Sequence, residues 1–315
     1  MNNLTIWTEK YRPASLNDVV GQTKIIERIK AFVAKNNLPH LLLAGPAGTG
    51  KTTTSLAIAQ DLFGPTWKQN FLELNASDAR GIDVVRNTIK DFARTKPMGN
   101  VPFKIIYLDE CDSLTKEAQQ ALRRTMENFV ESTRFVLSCN VSSKIIDPIQ
   151  SRCTVFRFKP LEKEEVIQTA KAIAQRENIT INEAAQEALY EISNGDLRKL
   201  INIMQSCTAI SDSLTEDLVY DIVSAAKPKE IKEVLTLAIN RDFVNAKNKM
   251  LDVMLNHGLS GLDIIKQIQK EVWSLDIPNE KKVAMIEKCG EIEFRMVEGS
   301  DEFVQLEALI ASFTQ

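Results

Sequence analysis

The stretch Gly45-Pro46-Ala47-Gly48-Thr49-Gly50-Lys51-Thr52 constrains this chain more than any other. It fits G-x-x-x-x-G-K-[ST], follows the apolar run HLLLA and opens the helical pattern TTTSLAIAQDLF. A strand, a glycine loop and a helix in that order turn successive backbone N–H groups around phosphate oxygens at a helix N-terminus. Lys51 then reaches the β and γ oxygens, and the Thr52 hydroxyl is suited to Mg²⁺. Thr53 continues the same segment into the helix. A merely structural glycine turn would not require this placement between strand and helix.

Further β-type runs lie at 71–77, 103–110, 133–140 and 154–158, alternating with amphipathic helical patterns. Strands spaced by helices imply a parallel sheet with helices on both faces, and these runs are apolar without alternation, as strands covered on both sides should be. After Pro160 only helical periodicity continues, for example Val166, Ile167, Ala170 and Ala174, then Ala188, Leu189 and Ile192. Turn signals at Asn194-Gly195-Asp196 and Ala226-Lys227-Pro228 punctuate it. The chain therefore divides into an α/β domain at 1–160, a small helical domain at 161–226 and an all-helical domain at 227–315.

The run ending Tyr107-Leu108-Asp109-Glu110 delivers two carboxylates to the C-terminal end of a strand, where ligands bind in open α/β sheets. Asp109 suits Mg²⁺ through water, and Glu110 suits polarisation of an attacking water. Asn140 ends the next strand on the same edge, where an amide can orient water or phosphate. Arg152, in Ser151-Arg152-Cys153, can present a guanidinium. A lone Asn or Arg in such a place is usually a cap or a surface charge; their order after the nucleotide motifs singles these two out.

With 44% hydrophobic and 26% charged residues the chain is neither disordered nor fibrous. No apolar run approaches the roughly 20 residues needed to cross a bilayer, so an intracellular protein with no membrane partner is expected. Cys111, Cys139, Cys153, Cys207 and Cys289 form no C-x-x-C pair and read as buried free thiols. The net charge of −3 conceals an asymmetry: residues 1–160 carry 22 Lys and Arg against 15 Asp and Glu, whereas 161–226 carry 5 against 12. Any polyanion-facing surface belongs to the first half. Within it, the helical pattern over Gly81–Thr95 sets Ile82, Val85, Ile89 and Phe92 on one face and Arg86, Lys90 and Arg94 on the other, with Arg80 at its start. Such a stripe by itself is most often a solvated face.

The segments Trp7-x-x-Lys10-Tyr11-Arg12-Pro13, Val19-Val20-Gly21-Gln22, Leu74-Asn75-Ala76-Ser77-Asp78, Asp109-Glu110, Ser138-Cys139-Asn140, Ser151-Arg152-Cys153 and Gly195-Asp196-Leu197-Arg198 resemble the successive boxes of replication factor C small subunits. These are AAA+ P-loop ATPases of sliding-clamp loaders, and the stretches 92–98 and 118–127 are similar to the archaeal form. The resemblance implies an AAA+ domain, a helical lid and an oligomerisation collar. It implies ATP with Mg²⁺, adenine and ribose against Tyr11, Arg12, Pro13, Val19 and Val20, Asn140 as sensor 1 and Arg198 as sensor 2. Arg152 would reach the ATP of a neighbouring subunit. The implied partners are a large subunit, further copies in a ring, a sliding clamp of the proliferating cell nuclear antigen type, and primer–template DNA held without sequence preference. The implied location is the cytoplasm of an archaeon, at the nucleoid, or the nucleus if the source is eukaryotic.

In DNA binding the resemblance favours Arg80, Arg86, Lys90 and Arg94, with Lys116, Arg123 and Arg124 on the following helix in second rank. Clamp contact is expected near Phe92, Met98, Val101 and Phe103, unless Phe92 and Phe103 are core residues. Ala47, Ala79, Cys111 and Val141 depart from the usual pattern without removing a nucleotide ligand. Rival readings are another AAA+ motor, such as a branch-migration helicase or a helicase loader, and a scaffold subunit that binds ATP without hydrolysing it. The Ser-Arg-Cys box weighs against the first, and intact Lys51, Thr52, Asp109, Glu110 and Arg152 against the second.

Overall fold

The computed structural model describes residues 6–77, 82–99 and 101–314, with residues 82–86 described by their backbone alone. Compactness divides the chain into two units, one ending at Ser213 and one beginning at Leu214.

The first unit is built on five strands: β1 (Leu41–Ala44), β2 (Phe71–Asn75), β3 (Lys104–Asp109), β4 (Thr133–Cys139) and β5 (Thr154–Arg157). They pair in the order β2-β3-β4-β1-β5, every pair parallel. Because side chains alternate along a strand, Leu41, Leu43, Ile105, Tyr107 and Val136 enter one core, with Ile26 and Ile29 of the Thr23–Ala34 helix and Leu56 and Ile58 of the Lys51–Phe63 helix. Leu42, Ala44, Ile106, Leu108 and Leu137 enter the other, with Ile89 of the Ile82–Arg94 helix and Leu122 and Met126 of the Lys116–Asn128 helix. Both faces are covered, which explains strands without alternating polarity.

Three helices, Lys163–Glu177, Glu183–Ser193 and Leu197–Thr208, follow the sheet. Val166, Ala170, Ala188, Leu189, Leu200 and Met204 are buried. Two-residue strands at Thr180–Ile181 and Ser213–Leu214 occur where periodicity predicts helix alone; strands so short carry no readable pattern.

The second unit is helical: Glu216–Val223, Pro228–Ile239, Phe243–His257, Gly261–Val272, Asn279–Val297 and Glu302–Phe313. Its core contains Ile231, Val234, Leu235, Ala238, Ile264, Ile265, Ile268 and Val272, the stripe the spacing predicts. Pro228 starts its helix at the first position, where a missing N–H costs nothing. All five cysteines are free, and only Cys153 is incompletely buried. No helix among the described residues is long and apolar enough to cross a membrane.

Candidate nucleotide site

Gly45, Gly48 and Gly50 have φ of 152°, 68° and 96°, a region that L side chains avoid. Backbone also closes the space at Gly45, and at Gly48 a side chain would have to displace the Asp196 carboxylate. A Cβ on Gly45 would lie 2.4 Å from the Phe158 carbonyl oxygen, and one on Gly48 would lie 1.6 Å from Asp196 Oδ1. At Gly50 the space is open, so backbone conformation alone selects glycine there. Gly50 is the N-cap of the Lys51–Phe63 helix and no side chain caps this end. The first N–H groups are left for a ligand, with the positive end of the helix dipole behind them.

Gly48 and Gly50 border a cleft of about 830 Å³. Ala47, Gly48, Gly50, Lys51, Thr52 and Thr53 line it, as do Asp109, Glu110, Asn140 and Arg198 from three other segments. Tyr11, Arg12, Pro13, Val19 and Val20 line it too. Gly45, Pro46 and Thr49 lie behind the lining: the Thr49 hydroxyl donates to the Pro46 carbonyl at 2.9 Å. The Lys51 ammonium donates to the carbonyls of Gly45 and Pro46, each at 2.7 Å, and lies 3.4 Å from Asn140 Oδ1. Burial lowers the Lys51 pKa, against the raising influence of Asp109. A charge so placed gains from an anionic partner.

Thr52 donates its hydroxyl to Asp109 Oδ2 at 3.2 Å, and its oxygen lies 3.0 Å from the Tyr107 hydroxyl. Asp109 Oδ1 accepts the Glu110 N–H at 2.9 Å. Glu110 follows with φ of 52°, a left-handed conformation for a residue with a side chain, and its carboxyl group is exposed at the cleft. Asn140 follows β4, and the adjacent Val141 N–H donates to Asp112 Oδ2 at 3.2 Å. Asp112 therefore ties the end of β4 to the turn after β3.

The lid arrives through the turn read at Asn194-Gly195-Asp196. Asp196 caps the Leu197–Thr208 helix by accepting the Lys199 N–H at 3.0 Å, and the Leu197 N–H donates to the Gly48 carbonyl at 3.1 Å. Arg198 is thereby set beside the phosphate loop. The amino-terminal segment is held by the lid also. The Trp7 N–H donates to Gln205 Oε1 at 2.9 Å, Lys10 pairs with Glu177 at 2.6 Å, and the Tyr11 hydroxyl donates to Glu177. Burial, followed by the Glu177 contact, raises the Tyr11 pKa.

Sequence reasoning missed Gln168, Thr169, Ile173, Arg176 and Ile201, lid residues that line the cleft. They sit on or beside stripes that read as ordinary helix core, and no local pattern separates a pocket wall from a core. Tyr107 and Asp112 were missed too, since a strand Tyr and a turn Asp carry no distinctive spacing.

Arg152 is not among the lining residues. One guanidinium nitrogen lies 2.6 Å from Glu127 Oε1 and another donates to the Pro148 carbonyl at 2.7 Å. Of the basic stripe, Arg80 lies outside the described residues and the Arg86 side chain likewise. Lys90 is half-buried, Arg94 is exposed 4.0 Å from Asp91, and Arg124 is exposed. Phe103 is 2% exposed and stacks edge-on against Phe63, so it is core and not a contact surface. Phe92 and Val101 are partly buried against the two cores, which leaves Met98 as the exposed apolar residue of that group.

A parallel sheet bearing a glycine loop, a strand-end Asp-Glu pair and a helical lid over the same cleft defines a P-loop ATPase of the AAA class. The model of the ATPase family associated with various cellular activities matches residues 41–161, and that of the replication factor C C-terminal domain matches 226–312. The chain is 52% identical over 305 residues to a replication factor C small subunit of Methanococcus maripaludis, covering 97% of each chain. It is 50% identical over 311 residues to that of Archaeoglobus fulgidus, covering 99% of this chain and 98% of the relative. The Holliday junction branch migration motor RuvB of Thermotoga maritima has the same fold over 73% of this chain and 79% of its own, with a TM-score of 0.57 at 21% identity. The chain belongs to the replication factor C small-subunit family, and it is an ATPase subunit of a clamp-loader complex.

Proposed function

We propose that this chain binds ATP with Mg²⁺ in the cleft and, in a ring with further copies and a large subunit, opens a sliding clamp and loads it onto primer–template DNA. ATP hydrolysis then releases the loader. The supporting observation is convergence: side chains from the amino-terminal segment, the phosphate loop, the ends of β3 and β4 and the lid helix border one cleft. We read 1–160 as the ATPase domain, 161–226 as the lid and 227–315 as the collar.

Tyr11, Arg12, Pro13, Val19 and Val20 bracket adenine and ribose. The backbone N–H groups of 47–53 receive the phosphates, and Lys51 exchanges two carbonyl partners for phosphate oxygens. The Thr52 hydroxyl and the Asp109 carboxylate are hard oxygen donors 3.2 Å apart, a set that suits Mg²⁺. When bound, the ion neutralises charge that builds on the phosphates. Glu110, exposed at the rim, accepts a proton from water and orients it for attack. Asn140 positions that water or the terminal phosphate. Arg198 contacts phosphate from the lid, so nucleotide occupancy is felt by the lid helix that carries it and by the amino-terminal segment tied to that helix through Gln205.

Arg152 completes the site of the adjacent subunit. Its local partners are Glu127 and a backbone carbonyl outside the cleft, an arrangement suited to reaching outward. The helical unit exposes Trp273, Phe294, Val297 and Val304 at 58–67%, apolar surface of the kind that oligomerisation covers. Arg80, Arg86, Lys90, Arg94 and Arg124 contact the phosphate backbone of duplex DNA, which gives strong salt dependence and little sequence preference.

The test is capture of a ring-shaped sliding clamp by the assembled loader with and without ATP. Recovery of the clamp with ATP alone is expected. Failure to recover it under either condition would turn the reading towards another AAA+ motor.

A further inference from the structure

We propose that Tyr107 is a positioning residue for the magnesium-binding hydroxyl of Thr52. This rests on the reading of Thr52 and Asp109 as ligands of the ion. A threonine hydroxyl has one proton and two lone pairs. The Thr52 proton goes to Asp109 Oδ2 at 3.2 Å, and the Tyr107 hydroxyl stands 3.0 Å from Thr52 Oγ1. With the Thr52 proton so committed, the phenol is the donor in the second bond. Donation fills one lone pair of Oγ1 and leaves one for a cation.

Two features make Tyr107 a firm support. It lies two residues before Asp109 on β3, so strand alternation sends both side chains to the sheet face covered by the Lys51–Phe63 helix. Its side chain is fully buried, and its ring stacks on Phe71 at 6.2 Å with 16° between planes. The hydroxyl therefore cannot swing away without disturbing a packed core.

The same helix offers the comparison. One turn further on, the Ser55 hydroxyl donates to the Lys51 carbonyl at 3.0 Å, the backbone bond that helical hydroxyls commonly adopt. A Thr52 hydroxyl that turned to its own backbone in this way would no longer donate to Asp109. Tyr107 holds Thr52 out of that alternative, and so readies one oxygen for the ion before nucleotide arrives.

Tyr107→Phe keeps the ring, its stacking and nearly all its volume, and removes only the hydroxyl. Affinity for the slowly hydrolysed analogue ATPγS is measured on the full chain, in excess EDTA and then across a Mg²⁺ titration. The expected result is an unchanged affinity in EDTA and a Mg²⁺ midpoint raised about 5- to 10-fold, the size of one lost hydrogen bond. In a Thr52→Ala background the same change adds nothing. An unshifted midpoint in Tyr107→Phe, with a shifted one in Thr52→Ala, overturns the inference and leaves the metal reading standing. No shift in Thr52→Ala removes the metal reading, and the inference with it. Equal weakening with and without Mg²⁺ makes the phenol merely structural and also overturns the proposal.

Discussion

Arg152 and Glu127 form an ion pair at 2.6 Å within one chain, reaching from the turn before β5 to the Lys116–Asn128 helix. A guanidinium meant for the ATP of a neighbour must leave this partner first. Arg152→Ala is expected to keep ATP affinity and to slow hydrolysis by the assembled loader roughly 10³-fold. Mixed rings give the direct reading: Arg152→Ala subunits beside Lys51→Ala subunits should regain hydrolysis, because each supplies what the other lacks. Absence of complementation, with mixed rings confirmed by mass, would put Arg152 in its own site or outside catalysis. Both partners of the pair are more than one-third exposed, so its net strength is small. Glu127→Gln should accelerate hydrolysis by no more than about 5-fold; a large loss of rate would mean that Glu127 serves the chemistry.

Lys51 and Glu110 should separate binding from turnover. Lys51→Ala removes a ground-state phosphate contact, so nucleotide affinity falls. Glu110→Gln keeps the shape of the exposed side chain and loses its capacity to accept a proton, so affinity is retained and turnover falls roughly 10²-fold or more. Equilibrium binding and single-turnover hydrolysis measure the two effects independently. Unchanged affinity in the first variant, or unchanged turnover in the second, contradicts the assignment of that residue.

How much of this was legible in the sequence depends on the range of each contact. Strand order in the chain, the glycine loop, the Asp-Glu pair and the helical stripe through Ile231 and Val272 are local signals, and the structure has them within a residue or two of the sequence reading. The cap by Asp196 was readable from a turn and the helix after it. Contacts across 50 residues or more carry no such signal. Nothing in the sequence ties Tyr107 to Thr52, Tyr11 to Glu177 or Asp196 to Gly48, since each depends on how the lid and sheet close around the loop. Phe103 is a clear case of the limit: periodicity offers it to surface or core, and packing against Phe63 decides.

His40 should make the first unit sensitive to mild acid. It is 8% exposed, and its Nδ1 accepts the Phe135 N–H at 3.0 Å, which requires the neutral ring. Burial, followed by the nearby Arg134 charge, pushes its pKa from 6.5 down to about 4. The unfolded chain therefore binds a proton that the folded chain refuses. The contribution is complete above pH 6.5 and is lost as the pH falls towards 4, amounting to about 2 kcal/mol between pH 7 and pH 5. Thermal melting over this range should show a steeper decline in wild type than in His40→Gln. Parallel curves would mean that His40 is not the group that titrates.

Removal of the helical unit should abolish assembly and spare the fold of the remainder. A chain ending at Ser213 retains the sheet, both its cores and every lining residue of the cleft. Sedimentation is expected to give a folded monomer that still binds ATP. A fragment that sediments as a ring would place the assembly contacts in the ATPase portion.

Loading itself is followed most directly with a labelled clamp and a primed DNA circle, measuring clamp and loader on the DNA after ATP is added to the assembled complex. Wild type should leave the clamp on the circle and depart. Glu110→Gln should bring the clamp to the DNA and stay bound to it. Clamp left on the circle equally well without ATP, or departure of the Glu110→Gln loader at the wild-type rate, would contradict a loader released by hydrolysis at this site.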